Sequence, residues 1–196
     1  MIQLDFEVDM RNFLIKKLEL DKYVDLIMKF QKGQIDKAFK NEFKVYYKII
    51  YKNELWCEKY FYLMQTQERD FERILRSLYE VDKQISVSFA SKLVATVDTN
   101  MPIWDKNVMS RLGKDVAWKD AEKKSADERI RIAVRIYEDM QQEYNEYLAS
   151  DEGKACIAKF DATFEAYKHI SDVKKLDLLL WAKGSESLLI KQKRRR

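Results

Sequence analysis

Apolar side chains return at helical spacing along nearly the whole chain. Phe39, Phe43, Tyr46, Tyr47 and Ile50 fall on one helical face, and Trp56, Tyr60, Leu63 and Met64 on another. Asn53 stands between these rows as a candidate cap. Phe71, Ile74, Leu75 and Leu78 predict a helix over about 69–81, and Phe89, Leu93 and Val94 one over about 86–98. Helices over about 5–19 and 21–31 precede them, the second closed by Gly33. Pro102 follows Asn100 and reads as the first-turn residue of a helix over about 102–112 that stops at Gly113. Ser125-Ala126-Asp127-Glu128 is a capping box opening a long helix to about 149. Its inward row reads Ile130, Ala133, Val134, Tyr137, Met140 or Gln141, Tyr144 and Leu148. Ser150 or Asp151 caps a helix over about 152–167; Ser171 or Asp172 caps a last one over about 173–183, ended by Gly184.

Composition supports an all-α fold. The 196 residues hold 4 Gly and 1 Pro, too few for the turns of a sandwich, a barrel or a glycine-rich nucleotide fold. A hydrophobic share of 46% is enough for a sizeable core. The expected organisation is one helical domain over 1–190, with lobes at about 1–113 and 127–190 joined by the polar stretch GKDVAWKDAEKKSA, then a basic tail at 191–196. That tail carries the charge imbalance. Lys191, Lys193, Arg194, Arg195 and Arg196 are five of 37 basic residues; without them 32 remain against 33 acidic ones, a net of −1. A near-neutral body lacks the basic excess of a surface built to follow phosphates.

Several chemistries are poorly supplied. Cys57 and Cys156 lie in apolar helical patterns and read as reduced, buried thiols. His169 is the only histidine, so zinc, iron–sulfur and Ser/His/Asp sites lack residues. No apolar run approaches the length of a membrane span, and MIQLDFEVDM has no signal-like core. The expectation is a cytoplasmic protein without metal, cofactor or membrane contact. Asp177 stands inside the apolar run Leu176–Ala182 and is expected in a structural ion pair.

Candidate chemistry concentrates between Ser86 and Gly113. Asp105 sits where a helix begins, and Lys92 lies on the helix before it. The segment ASKLVATVDTNMPIWDKNVMSRLG resembles the region after the hairpin in the helix-hairpin-helix DNA glycosylase superfamily, the endonuclease III-like fold. The resemblance implies a two-lobed helical fold with a DNA-binding cleft. It puts Asp105 in the place of the catalytic Asp and Lys92 in that of the lysine nucleophile of bifunctional members. The chain also resembles a set of uncharacterised bacterial proteins that share an SFASKL…PIWD segment and a KKxDxxLW segment, here Lys174 to Trp181. Trp104, Lys83, Lys106, Arg111 and Trp181 are the accompanying candidates for binding, and Trp118 and Tyr79 for stacking on a flipped base. The stretch Asp82–Ser88, which matches the glycine-rich hairpin of that family, contains no glycine. The leading expectation is therefore a non-enzymatic interaction protein that keeps a glycosylase-like fold without its chemistry. A nucleic-acid-binding protein and a glycosylase or lyase using Asp105, with or without Lys92, are the alternatives. The aromatic stretch 39–62 would serve either as core or as a homodimer face.

Overall fold

Eight of the described helices begin on a side-chain cap. Asp5, Asp36, Asn53, Asp70, Asp105, Ser125, Ser150 and Ser171 each accept a hydrogen bond from a backbone N–H two or three residues on. Glu128 closes the capping box by accepting from the Ser125 backbone. Each such cap is worth about 1 kcal/mol. In the computed structural model, which describes residues 2–15 and 20–182, eleven α-helices form the frame, and no strand occurs among the described residues. They are α1 (Phe6–Ile15), α2 (Leu20–Gln31), α3 (Lys37–Tyr46), α4 (Glu54–Gln65), α5 (Phe71–Asp82), α6 (Val87–Val97), α7 (Lys106–Arg111), α8 (Asp115–Asp120), α9 (Ala126–Ala149), α10 (Asp151–Thr163) and α11 (Asp172–Ala182). Gly184 and the tail at 191–196 lie outside the described residues.

Helix ends depart from the glycine rule. Gly33 and Gly113 take left-handed positions after α2 and α7, but Lys48, Gln67 and Lys83 do the same after α3, α4 and α5, with φ of 57°, 52° and 57°. The chain reuses one closing bond regardless of residue type: Gln34 donates to Lys29 O, Ile49 to Lys44 O, Glu68 to Leu63 O and Lys114 to Met109 O. The α5–α6 turn, where the sequence lacks glycine, is built with Lys83 in the left-handed position. Gly153, in the first turn of α10, has a different duty. A Cβ there would stand 1.9 Å from the Tyr147 carbonyl oxygen, so the end of α9 closes directly onto the start of α10.

Three local expectations are corrected. Pro102 opens no helix. It lies in a non-helical segment before α7, where its carbonyl accepts from the Tyr137 hydroxyl at 2.8 Å. The stretch 113–126 is not a plain linker but holds α8 and a 3₁₀ turn at Ala121–Lys123. On α9, Ile136 and Tyr147 are buried while Leu148 is only half-buried, and Met140 rather than Gln141 faces inward.

Two cores meet at α11. The larger includes the aromatic rows of α3 and α4, with Phe39, Phe43, Trp56, Tyr60 and Phe61 buried beside residues of α5, α6 and α9. The smaller gathers Met10 and Phe13 of α1, Leu20 and Tyr23 of α2, Cys156 and Phe160 of α10, and Ile170. Helix α11 supplies Val173, Leu176 and Leu180 to the first and Leu178, Leu179 and Ala182 to the second. A helix buried all round belongs at the centre of a fold. Arg111 of α7 reaches across the same region. Its guanidinium bonds both carboxylate oxygens of the buried Asp9 at 2.5 and 3.0 Å, and the carbonyls of Leu179 and Gln3.

Two substitutions test the backbone account by urea unfolding. Lys83→Gly should raise stability by about 1 kcal/mol, because an L-residue is relieved of a left-handed conformation at an exposed position. Gly153→Ala should lower it by about 1–3 kcal/mol or more, because the contact it creates is with backbone rather than with a movable side chain.

Candidate functional site

The segment joining α6 to α7 is held by bonds from three helices. Tyr137 of α9 holds Pro102 O, as described. The Ile103 N–H donates to both carboxylate oxygens of Asp177 on α11, at 3.1 and 3.4 Å. The Trp104 N–H donates to Ser91 Oγ of α6 at 2.9 Å, and that hydroxyl donates onward to Ser88 O. Asp105 then caps α7, accepting from the Asn107 N–H at 2.8 Å. The PIWD and KKLDLLLW segments are thus bonded to each other through Ile103 and Asp177.

Among the described residues Asp177 makes no ion pair, contrary to the expectation from the sequence. Its other partner is the buried Tyr144 hydroxyl, which donates to Oδ1 at 2.5 Å. The partners are a phenol and a backbone amide because α9 and the α6–α7 segment, not a basic side chain, pack on this face of α11. Burial pushes the Asp177 carboxyl up to about 7, against the lowering effects of the Lys174 charge and of its two hydrogen bonds.

Two lysines share this neighbourhood. The Lys92 amine of α6 lies 5.1 Å from the centre of the Phe89 ring and 5.8 Å from that of Tyr47. The Lys174 amine of α11 lies 4.5 Å from the centre of the Tyr23 ring. Neither amine makes a hydrogen bond or ion pair with another described residue. Burial lowers the pKa of both. The Asp105 carboxylate opposes that lowering at Lys92, and Asp177 followed by Asp105 opposes it at Lys174. Lys174 and Lys48 push Lys92 further down by repulsion. The next residue on α11 is the contrast. Lys175 is 2% exposed and ion-paired with Asp161 and Asp172 at 2.8 and 2.9 Å, and it donates to Lys168 O. Burial lowers its pKa, but those carboxylates more than reverse the effect and it stands above the ordinary lysine value.

Lys92 and Asp105 make no hydrogen bond or ion pair with each other, and Asp105 acts on the Lys92 amine only as a neighbouring charge. Trp104, next to Asp105 in the chain, belongs to the larger core. The Trp104 ring is 4% exposed, parallel to Phe71 and edge-on to Trp118. The remaining candidates stand elsewhere. Lys83 is exposed over the Tyr79 ring, Lys106 is exposed on α7, Arg111 is engaged with Asp9, and Trp181 is half-buried against the larger core. Sequence reasoning missed Lys174, Tyr144 and Ser91. The one available signal for Lys174 was its place in the KKxDxxLW segment, at a position that the fold buries.

A surface pocket of about 360 Å³ adjoins this centre. It is lined by Lys48, Tyr51, Lys52, Asp82, Gln84 and Phe89, among others. Lys52 is fixed within it by bonds to Asp82, Gln84 and Ser86. Phe89 is shared, since the Lys52 amine lies 5.9 Å from its ring centre and the Lys92 amine 5.1 Å. Cys57 and Cys156 are free thiols whose pKa burial raises, and His169 is exposed. Among the described residues no cluster of His, Cys, Asp and Glu is placed to hold a metal ion, and no helix is long and apolar enough to cross a membrane. No protein-family model, curated protein or solved structure matches the chain.

The Asp177 carboxyl generates a pH prediction. Its pKa is raised in the folded chain, so the folded state keeps a proton that the unfolded chain releases near pH 4. The group's contribution to stability is full below the unfolded value and is lost as pH rises through about 7. The charged and titratable groups facing it are Lys174, Asp105, Tyr23, Tyr47, Tyr137 and Tyr144. Relative to Asp177→Asn, which keeps an acceptor oxygen, the parent should lose up to about 1.4 kcal/mol per pH unit across that window. Urea unfolding at several pH values checks this, and parallel curves would reject the account.

Proposed function

We propose that the protein performs amine–carboxylate chemistry at the C1′ carbon of a nucleic-acid sugar, as a DNA glycosylase or lyase. One observation carries the reading. The Lys92 side chain is half-buried, makes no hydrogen bond or ion pair among the described residues and is lowered in pKa by burial, with the Asp105 carboxylate at the start of α7 as the opposing charge. A lysine whose pKa is lowered by burial gives up its proton more readily than a free one, in the direction that nucleophilic attack requires. On an abasic sugar the amine nitrogen attacks the C1′ aldehyde, water leaves and an imine forms. On an intact nucleoside the Lys92 nitrogen bonds C1′ as the base leaves with the electron pair of the glycosidic bond and takes up a proton from water. Asp105 takes the amine proton or offsets the positive charge that develops at C1′. The resemblance of ASKLVATVDTNMPIWDKNVMSRLG to the glycosylase superfamily supports the same pair of residues.

The test is borohydride trapping on DNA containing an abasic site, at enzyme excess and neutral pH. A covalent protein–DNA band is expected from the parent and not from Lys92→Met. Asp105→Asn should lower the rate by about 10²–10⁴-fold. A parent that forms no adduct removes Lys92 from this role, and an Asp105→Asn variant with full activity removes Asp105.

A second reading, that of an interaction protein, is favoured by a separate surface. Val45, Ile50, Tyr51 and Leu55 are 70%, 61%, 92% and 64% exposed along the α3–α4 turn. Grouped exposed apolar residues mark contact sites. Sedimentation of the parent beside an Ile50→Glu/Leu55→Glu variant tests the homodimer form of this reading. A dimer lost in the variant supports it, and a monomeric parent at all concentrations removes that form.

A further inference from the structure

We infer that the cavity lined by Lys48, Gln84 and Phe89 binds a small organic anion, a phosphate or carboxylate head carried on a flat ring. The inference is independent of the reading of Lys92 and Asp105. At about 360 Å³ the cavity lies within the range of about 300–1,000 Å³ that small-molecule sites occupy. Its wall is fixed. Lys52, between α3 and α4, spends its three ammonium hydrogens on Asp82 Oδ2 at 2.5 Å, Ser86 Oγ at 3.0 Å and Gln84 Oε1 at 3.2 Å. The Lys52 and Asp82 side chains are only 12% and 11% exposed, so a largely buried ion pair staples the α3–α4 turn to the end of α5. The amide and carboxylate oxygens of the lining are all engaged within the protein. Besides those two bonds from Lys52, Asp82 Oδ1 accepts from the Gln84 N–H and Asn53 Oδ1 from the Trp56 N–H, both at 2.9 Å. The same bonds fix which way the Asn53 and Gln84 amides face. What remains is a set of donors. The Lys48 ammonium, the Asn53 and Gln84 NH₂ groups and the Tyr51 hydroxyl have no hydrogen-bond or ion-pair partner among the described residues. Two ammonium groups, Lys48 and Lys52, stand against one carboxylate, Asp82, which leaves the lining one positive charge in excess. The group that complements such a lining is rich in acceptors and negatively charged. The ring follows from the apolar lining. Phe89 is half-buried, with its ring centre 5.5 Å from that of Trp56, and the exposed Tyr51 supplies a second aromatic surface. A bare ion uses neither.

Phenyl phosphate, benzoate, inorganic phosphate and phenol are titrated separately into the full chain at neutral pH, and the backbone and side-chain amides are followed by NMR. Phenyl phosphate or benzoate should give saturable shifts at the Asn53 and Gln84 side-chain amides, and the tighter of the two identifies the head group. Inorganic phosphate and phenol each keep one half of the ligand and should bind at least about tenfold more weakly. Lys48→Met should weaken binding by about tenfold or more, the scale of one hydrogen bond to a charged group, and Lys48→Arg should retain most of it. The Lys48 side chain is exposed and unpaired, so neither change disturbs packing. Lys123→Met, which removes an exposed charge outside the cavity, should leave the affinity unchanged. The inference is overturned by the absence of saturable shifts with both ring-bearing anions. It is equally overturned by inorganic phosphate or phenol binding as tightly as they do, or by an affinity that survives Lys48→Met.

Discussion

The Asp177 carboxyl, buried in the middle of α11, must find partners for its oxygens or lose the cost of its desolvation. It finds them in the Ile103 amide and the Tyr144 hydroxyl. Those bonds fix the position of the α6–α7 segment against α9 and α11 at once. Asp105 is two residues beyond Ile103, so the start of α7 and the direction of its capping carboxylate follow from the same contact. Ser91 secures the residue between them to α6, one residue before Lys92. The Lys92–Asp105 arrangement is therefore set by a polar contact in which neither residue takes part.

This dependence explains why the lysines differ. Lys175 points toward Asp161, Asp172 and the Lys168 carbonyl at the edge of the smaller core. Lys174, one helical step round, points into the tyrosine-lined region where Asp177 has already given its oxygens to neutral donors. The Asp177 and Asp105 carboxylates act there on Lys174 and Asp105 acts on Lys92, while burial depresses the pKa of both lysines. Such clusters of perturbed groups mark candidate sites with a physical reason, which a lone exposed lysine such as Lys83 or Lys106 does not supply.

Local chemistry made much of the fold readable. The capping box at Ser125, the Asn53 cap and the aromatic rows of α3 and α4 depend on neighbours within a few residues and are present as expected, except that Ile50 falls beyond the end of α3 and is exposed. Contacts across long chain separations were not readable. Nothing near Pro102 announces that Tyr137 will hold its carbonyl, and nothing near Asp177 announces a phenol instead of a cation. The left-handed closures by Lys48, Gln67 and Lys83 were hidden for another reason. Backbone hydrogen bonds can enforce that conformation on a residue type that does not favour it. At the site, Asp105 and Lys92 were legible because a helix start and a helix face are local patterns. Lys174 was not, because its place over the Tyr23 ring depends on α2, far away in the chain.

The double-sided burial of α11 also governs how the molecule comes apart. One side of the helix completes the larger core and the other completes the smaller, so neither core keeps its full packing once α11 leaves. The Arg111 guanidinium adds a second tie, joining α7 to Asp9 of α1 and to the Leu179 carbonyl. Opening of the region around α1 and α10 must therefore release the helix that carries Lys174 and Asp177. Hydrogen exchange of the α11 amides should then run at the global unfolding rate, making the site part of the last structure to be lost.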